Sequence, residues 1–195
     1  MNNLRPALDP SMRRDAPVTS ILVSGFVFSG SSAVTDLLRE YNFIATRPGE
    51  FDDFRRPGKI GDHLEGLIEP FYPSTLDVSI STFVTRSIRA PLRDVESFRQ
   101  GPVSGVRAMV RNFQELLALR QVSKDMQLLS SPSGRVAIAR RYIHKVQKIH
   151  GHGKRFVVLD QPILWGEHLN TWPRVFNPFK LIVVTRHPLD ALADT

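Results

Sequence analysis

The chain of 195 residues contains no cysteine. Disulfide bonds, zinc-thiolate sites and a thiol nucleophile are therefore excluded. Long apolar runs are missing as well, because no stretch approaches the roughly 20 residues that span a bilayer. The opening MNNLRPALDPSMRRDAP also lacks the apolar core of a signal peptide. We therefore predict a cytoplasmic protein without a membrane span.

Acidic residues are fewer than basic ones, at 19 Asp and Glu against 26 Lys and Arg, and the formal net charge is +7. This excess favours an anionic partner such as a nucleotide, an acidic glycan or nucleic acid, although many soluble proteins are basic without binding anions. The basic helical segments lack aromatic interleaving and any nucleic-acid motif, so we do not expect nucleic acid to bind.

The segment ILVSGFVFSGSSAVTDLL, residues 21–38, reads as a strand, a glycine-rich loop and a helix. The strand is predicted at Ile21–Ser24. The helix is predicted from Ser31 to about Tyr41, with Val34, Leu37 and Leu38 on its inner face. A second strand is expected at Asn42–Thr46, followed by an irregular charged loop at Arg47–Lys59.

Residues 62–150 are predicted to be mostly helical. In Val106–Met126, apolar residues recur at steps of three and four, which predicts an inward face formed by Val106, Met109, Val110, Phe113, Leu116 and Leu117. Two continuous apolar strands follow, at Phe156–Leu159 and Leu181–Thr185, of the kind that parallel sheets cover on both faces.

These elements predict an α/β fold of three layers, with a mostly parallel sheet and a helical insertion at about 62–150. With 42% apolar residues, a single domain over residues 20–195 is expected, preceded by a disordered arm at 1–19. Because HPLDALADT ends as a helix starts, we expect the C-terminus to be truncated.

A strand, a glycine-rich loop and a helix N-terminus together make an anion site, because backbone N–H groups and the helix dipole converge there. Counted from Gly25, the loop follows the P-loop pattern G-x-x-x-x-G, but Ser31 occupies the place of the required Lys. That substitution argues against ordinary kinase or ATPase chemistry. Gly25 and Gly30 as plain turn residues remain the alternative.

The same loop resembles the 5′-phosphosulfate loop of sulfotransferases that use 3′-phosphoadenosine 5′-phosphosulfate (PAPS), and the resemblance implies a P-loop-like topology. Its Ser-Gly-Ser-Ser core matches at Ser29, Gly30, Ser31 and Ser32. It departs from the family where Val27 replaces a Pro and Phe28 replaces a Lys or Arg.

A second landmark of that family, a segment that binds the donor's 3′-phosphate, is similar to residues 186–195. Arg186 and Pro188 match it, but Asp194 stands where the family usually has Ser. The resemblance covers residues 20–60 and 155–195. It implies that Phe28, Ser29, Gly30, Ser31, Ser32, Arg186 and Asp194 contact PAPS, and that no metal is needed.

The resemblance further implies a transferase that moves a sulfuryl group to a hydroxyl or amine of a glycan or small molecule. Glu50 is the candidate base, since it resembles in position the catalytic Glu of glycan sulfotransferases. Alternatively, it only balances the basic residues of its loop. With Phe28 in place of the family's cation, we expect either that Arg47, Arg55 or Arg56 supplies the missing charge, or that the protein binds the donor and transfers the sulfuryl group slowly or not at all.

Two other interpretations stay open. A P-loop-type kinase or nucleotide hydrolase would use Asp160, at the end of KRFVVLD, to hold Mg²⁺ with ATP. A non-catalytic binding module with a sulfotransferase-like fold is the third, since Phe28 and Asp194 both depart from the family.

Overall fold

The computed structural model describes residues 17–25, 30–51, 53–54, 60–65, 102–128, 131–162 and 172–185. The strands are β1 (Thr19–Gly25), β2 (Ile44–Glu50), β3 (Phe156–Asp160) and β4 (Phe179–Val184). The helices of these ranges are α1 (Ser31–Arg39), α2 (Ile60–Glu65), α3 (Pro102–Leu128), α4 (Pro132–Gly151) and α5 (Trp172–Val175).

The strands form one parallel sheet in the order β2-β3-β1-β4. Strand β1 pairs with β3 up to Val23 opposite Asp160, and with β4 up to Gly25 opposite Val184. The predicted β3 and β4 are confirmed to within two residues at each end. The apolar residues of β3 need burial on both faces, which a central parallel strand provides.

Helices cover both faces of this sheet. On one face, Val34 and Leu38 of α1 pack on the strands through a cluster centred on Ile21, Val23 and Val158. On the other face, α2, α3, α4 and α5 share a larger core with Leu22, Val157 and Leu159. The chain is thus an α/β fold with a four-stranded parallel sheet, compatible with the predicted three-layer arrangement.

Helix α4 holds the segment after β2 against the sheet. Ser131 caps its first turn by accepting a hydrogen bond at Oγ from the Gly134 amide, at 3.2 Å. Further along, the buried Tyr142 hydroxyl donates to Asp53 Oδ2 at 2.6 Å, and its ring stacks on Phe51. These two contacts of Tyr142 fix the position of the segment that follows β2.

The prediction for Leu37 was wrong, since its side chain is 62% exposed. The inner face of α1 instead includes Ser31 and Thr35, both buried, and Leu37 lies roughly a third of a turn from that face. The helix also ends at Arg39 rather than near Tyr41.

Strand β2 was predicted too short, because it runs through Glu50 and takes in the start of the expected loop. In β4, Leu181 and Val183 are 40% and 62% exposed, although coverage on both faces was expected. The reason is that β4 is the edge strand of the sheet that the structure describes.

The inner face of α3 was predicted correctly at Leu116, which is 3% exposed, but wrongly at four of its six residues, since Val106, Val110, Phe113 and Leu117 are exposed. The buried side also contains Ala108, Glu115, Leu119, Val122 and Met126. Apolar periodicity missed most of this face because a charged residue, Glu115, lies in the middle of it. None of the described helices is long and apolar enough to cross a membrane.

Leu22 in β1 and Leu37 in α1 differ strongly in burial, so the same substitution at the two positions should have different effects on stability. Leu22→Ala removes a fully buried side chain from β1, one of the two inner strands, and should cost about 2–5 kcal/mol. Leu37→Ala removes the same atoms from a 62% exposed position and should stay within about 0.5 kcal/mol. Urea unfolding of both variants measures this, and equal losses would contradict the burial described for α1.

Candidate functional site

The carboxyl ends of β1 and β3 lie side by side, and the chain leaves them toward opposite faces. After β1, the chain continues into α1 on one face. After β3, it continues into α5 on the other face, so the two connections diverge. In open α/β sheets such a divergence leaves a crevice beyond the strand ends, where ligands bind.

The N-terminus of α1 lies at this crevice. Gly30 precedes the helix in the left-handed conformation, with φ 88°, which disfavours any residue with a side chain. Its carbonyl accepts hydrogen bonds from the amides of Ala33 and Val34, at 3.1 and 3.3 Å. The amides of the first turn have no partner within a helix, so those of Ser31 and Ser32 are oriented to bind an anion.

Gln161 connects the ends of β3, β1 and α1. Its amide donates to Val23 O at 2.7 Å, and its side-chain Nε2 donates to Ser31 Oγ. The residue is 8% exposed, and its Oε1 has no hydrogen-bond partner among the described residues. A buried amide oxygen without a hydrogen-bond partner lowers the stability of the fold. Gln161 is therefore suited to contact a ligand in the crevice.

Sequence reasoning missed Gln161. The available signal was its position directly after the buried strand FVVLD, where parallel sheets carry their functional residues.

Glu50 and Asp160 reach the same edge of the sheet. Glu50 ends β2 opposite Asp160 in the β2-β3 register, and the next amide, Phe51 N, donates to Asp160 O at 2.7 Å. The side chain of Glu50 is exposed, whereas Asp160 is 6% exposed. The candidate base and the candidate metal-holding acid are therefore adjacent in the sheet.

Arg47 does not supply a free cation at this edge, contrary to one of the expectations from the sequence. It is 7% exposed, and its Nε and Nη2 donate to Glu115 Oε1 at 3.0 and 2.7 Å. Its Nη1 donates to the carbonyls of Pro48, Gly49 and Glu50 at 3.2, 3.3 and 2.7 Å. A guanidinium held by these partners stabilises the fold and is not available to bind a ligand.

The three carbonyls belong to a bulge that sets the end of β2. Thr46 pairs with Val158 and Glu50 with Asp160, so β2 has two more residues than β3 over this interval. Gly49 makes the turn possible, with φ 70°. Arg47 therefore fixes the backbone that carries Glu50.

Glu115 is held between two cationic or proton-donating partners. His150 Nε2 lies 2.6 Å from Glu115 Oε2, and since an ionised carboxylate only accepts hydrogen bonds, this nitrogen carries the proton. Burial alone would raise the pKa of Glu115, but Arg47 and His150 outweigh it and lower the pKa to about 2. For the Arg47 guanidinium, Glu115 likewise outweighs burial and raises the pKa.

Of the residues predicted to form the site, Gly30, Ser31, Ser32 and Glu50 lie at the carboxyl edge of the sheet. Phe28, Ser29, Arg186 and Asp194 lie outside the described residues, as do the alternative cations Arg55 and Arg56. No group of three or more His, Asp or Glu within the described ranges could hold a metal ion.

Comparisons with protein-family models, with curated proteins and with solved structures found no match to this chain. The candidate site therefore rests on its own geometry.

The buried Arg47-Glu115 pair predicts a large effect of one neutralising substitution. Glu115→Gln leaves the Arg47 charge buried without its counter-ion and should cost about 3–5 kcal/mol at neutral pH. The pKa of Glu115 is lower in the folded chain than its ordinary value of 4.5. The contribution of the ionised Glu115 carboxylate to the free energy of unfolding is thus complete above pH 4.5 and is lost as the pH falls toward about 2.

Urea unfolding at a series of pH values measures this difference. The gap in unfolding free energy between the wild type and Glu115→Gln should narrow across that acidic range. The exposed Glu40→Gln is the matched control and should follow the wild type. Parallel curves for the wild type and Glu115→Gln at all pH values would contradict the depressed pKa.

Proposed function

We propose that this chain is a PAPS-dependent sulfotransferase, acting on a hydroxyl or amine of a glycan or small molecule. One observation carries the proposal: Gly25 at the end of β1 pairs with Val184 at the end of β4. In the sequence, residues 26–29 follow Gly25, and Thr185 and Arg186 follow Val184. The two segments that resemble the donor-binding motifs therefore follow neighbouring strand ends at one edge of the sheet, as a single ligand requires.

The donor's sulfuryl and 5′-phosphate groups would bind at the start of α1. The amides of Ser31 and Ser32 and the helix dipole provide donors and positive potential there. The resemblance assigns Phe28, Ser29 and Gly30 to the same end of the donor, and Arg186 with Asp194 to its 3′-phosphate end. Gln161 adds a buried amide beside Ser31 that can complete the contact.

The proposed reaction is an in-line displacement at sulfur. Glu50 takes the proton from the acceptor hydroxyl or amine, and the acceptor atom forms a bond to sulfur. The sulfur-oxygen bond to the donor phosphate breaks, and adenosine 3′,5′-bisphosphate leaves. As in phosphoryl transfer, positioning and charge stabilisation supply most of the rate.

The cation that the family carries at the position of Phe28 has to be replaced. Arg47 is excluded from that role by its burial against Glu115. In the proposed mechanism the amides at the start of α1 carry the charge stabilisation at the sulfuryl group, while Arg186 binds the 3′-phosphate at the other end of the donor. Loss of one such donor typically lowers an enzyme's rate by about 10²–10³, so we expect slow turnover.

A nucleotide kinase or hydrolase is the second candidate, favoured by the position of Asp160. This carboxylate is 6% exposed at the end of β3, next to the strand that leads to the glycine loop. It could hold Mg²⁺ bound to ATP. Thermal-shift titration separates the two functions, because adenosine 3′,5′-bisphosphate without metal should stabilise a sulfotransferase, and only Mg-ATP a kinase.

Donor binding at the α1 N-terminus predicts that Ser32→Glu weakens binding of adenosine 3′,5′-bisphosphate tenfold or more. Like charges about 4 Å apart near a protein surface repel by about 4 kcal/mol, whereas an acidic residue in the first turn stabilises the helix itself. The variant should thus lose ligand stabilisation while its own Tm stays unchanged or rises.

Leu37→Glu places the same charge on an exposed site of the same helix and serves as the control. It should bind the bisphosphate as the wild type does. Failure of the bisphosphate to stabilise the wild type, or equal binding by Ser32→Glu, would overturn the proposed donor site.

The role of Glu50 is tested separately. Glu50→Gln keeps the backbone carbonyl that Arg47 binds and removes only the base, so transfer of label from PAPS should fall by about 10²–10⁴. Stabilisation by adenosine 3′,5′-bisphosphate should not change. Glu40→Gln is the control, and a Glu50→Gln rate equal to that of the wild type would exclude Glu50 as the base.

A further inference from the structure

Helix α3 carries apolar side chains on two opposite faces. One face is buried in the core through Leu119, Val122 and Met126. On the other face, Val106, Val110, Phe113 and Leu117 are exposed by 57%, 49%, 42% and 48%. Their spacing of four, three and four residues aligns them in one row, which we call the outer stripe. Contiguous exposed apolar surface of this kind marks an interaction site.

A basic groove begins where the outer stripe ends. It lies between α3 and α4, has a volume of about 810 Å³, and includes Leu117 of the stripe. Its charged lining consists of Arg120, Lys124, Lys145 and Lys148, and no acidic residue is among the described residues that line it. The carboxylate of Asp125, on the same helix, is paired with Arg141 at 3.4 Å.

An exposed basic residue, Arg107, follows Val106 at the other end of the stripe, and Arg111 lies one turn further along the helix. Arg111 Nη1 lies 2.9 Å from His152 Nε2, and because a guanidinium only donates hydrogen bonds, His152 accepts there and is uncharged. Burial and the nearby Arg111 and Lys154 lower the pKa of His152. Positive charge is thus present at both ends of the exposed apolar row.

The combination of an exposed apolar row with basic groups at both of its ends distinguishes between possible binding partners. A second copy of the chain would bring these basic groups against each other, and such like-charge contacts are unfavourable. Nucleic acids and acidic glycans would satisfy the cations but leave Val106, Val110 and Leu117 in water. The surface of an anionic bilayer can bind both the apolar and the basic side chains, because apolar side chains enter the acyl boundary and Lys or Arg bind the headgroups.

We propose that the outer stripe and the basic groove dock the protein on a membrane surface rich in anionic phospholipid. The contact is peripheral and runs along α3 from Val106 to Lys124, a distance of roughly 27 Å on a helix. It does not depend on the proposed sulfotransferase activity.

Vesicle flotation tests the docking with the full 195-residue chain. The protein should float with vesicles of phosphatidylcholine and phosphatidylserine and remain unbound with phosphatidylcholine alone. Added salt should weaken the binding, because it screens exposed charges.

Substitutions in the two parts of the surface should act independently of the fold, because the replaced side chains are exposed. Lys145→Gln and Lys148→Gln should each weaken binding about fivefold, the contribution of one basic residue at an anionic surface. Val110→Gln and Leu117→Gln should each weaken it several-fold by removing apolar insertion. Leu37→Gln and Lys180→Gln, exposed elsewhere, are the matched controls and should bind normally.

Three results would overturn the proposal. One is the absence of flotation with phosphatidylserine vesicles. Another is binding to heparin or DNA that is as tight as binding to vesicles and is not weakened by Leu117→Gln. That result would indicate a surface for soluble polyanions. The third is self-association in sedimentation experiments that Leu117→Gln abolishes, which would assign the stripe to a second copy of the chain.

Discussion

The insertion of β3 between β1 and β2 is the constraint on which the rest of the structure depends. Val157, Val158 and Leu159 are fully buried in that central strand, as are Leu22 and Val23 beside them. Each such side chain contributes about 1.5–3 kcal/mol through burial, and a register slip of one residue would turn every one of them to the other face. The same register brings Val23, Asp160 and Gln161 together at the carboxyl edge.

The Arg47-Glu115-His150 cluster is the second constraint, and it is polar. It joins β2, α3 and α4 inside the core, where isolated charges would be too costly to bury. Replacing such a pair with apolar residues is often neutral, so its value here is positional rather than energetic. Three carbonyls on one guanidinium define the bulge, and the bulge determines where Glu50 lies relative to Asp160.

The proposed donor site and the proposed membrane surface use different layers of the molecule. The first is formed by strand ends and the start of α1, where backbone amides and a buried glutamine converge. The second is formed by the outward sides of α3 and α4, far along the chain from the glycine loop. Because they share no residue, either function could be lost by substitution without the other.

Much of the fold could be predicted from the sequence alone. Continuous apolar runs identified β3 and β4 nearly to the residue, and the break of glycine and serine after β1 located the start of α1, including Gly30, Ser31 and Ser32. These signals are local, because a continuous apolar strand and a helix N-terminus are encoded within a few neighbouring residues.

Only the tertiary structure decided what each charged or polar residue does. Gln161 meets Ser31 across 130 positions of sequence, and Arg47 meets Glu115 across 68. Such partners leave no periodic trace, so the sequence predicts Arg47 as a loop cation and an inner face of α3 that does not contain Glu115. The energy of a buried charge depends on its partner, and that partner is known only once the chain has folded.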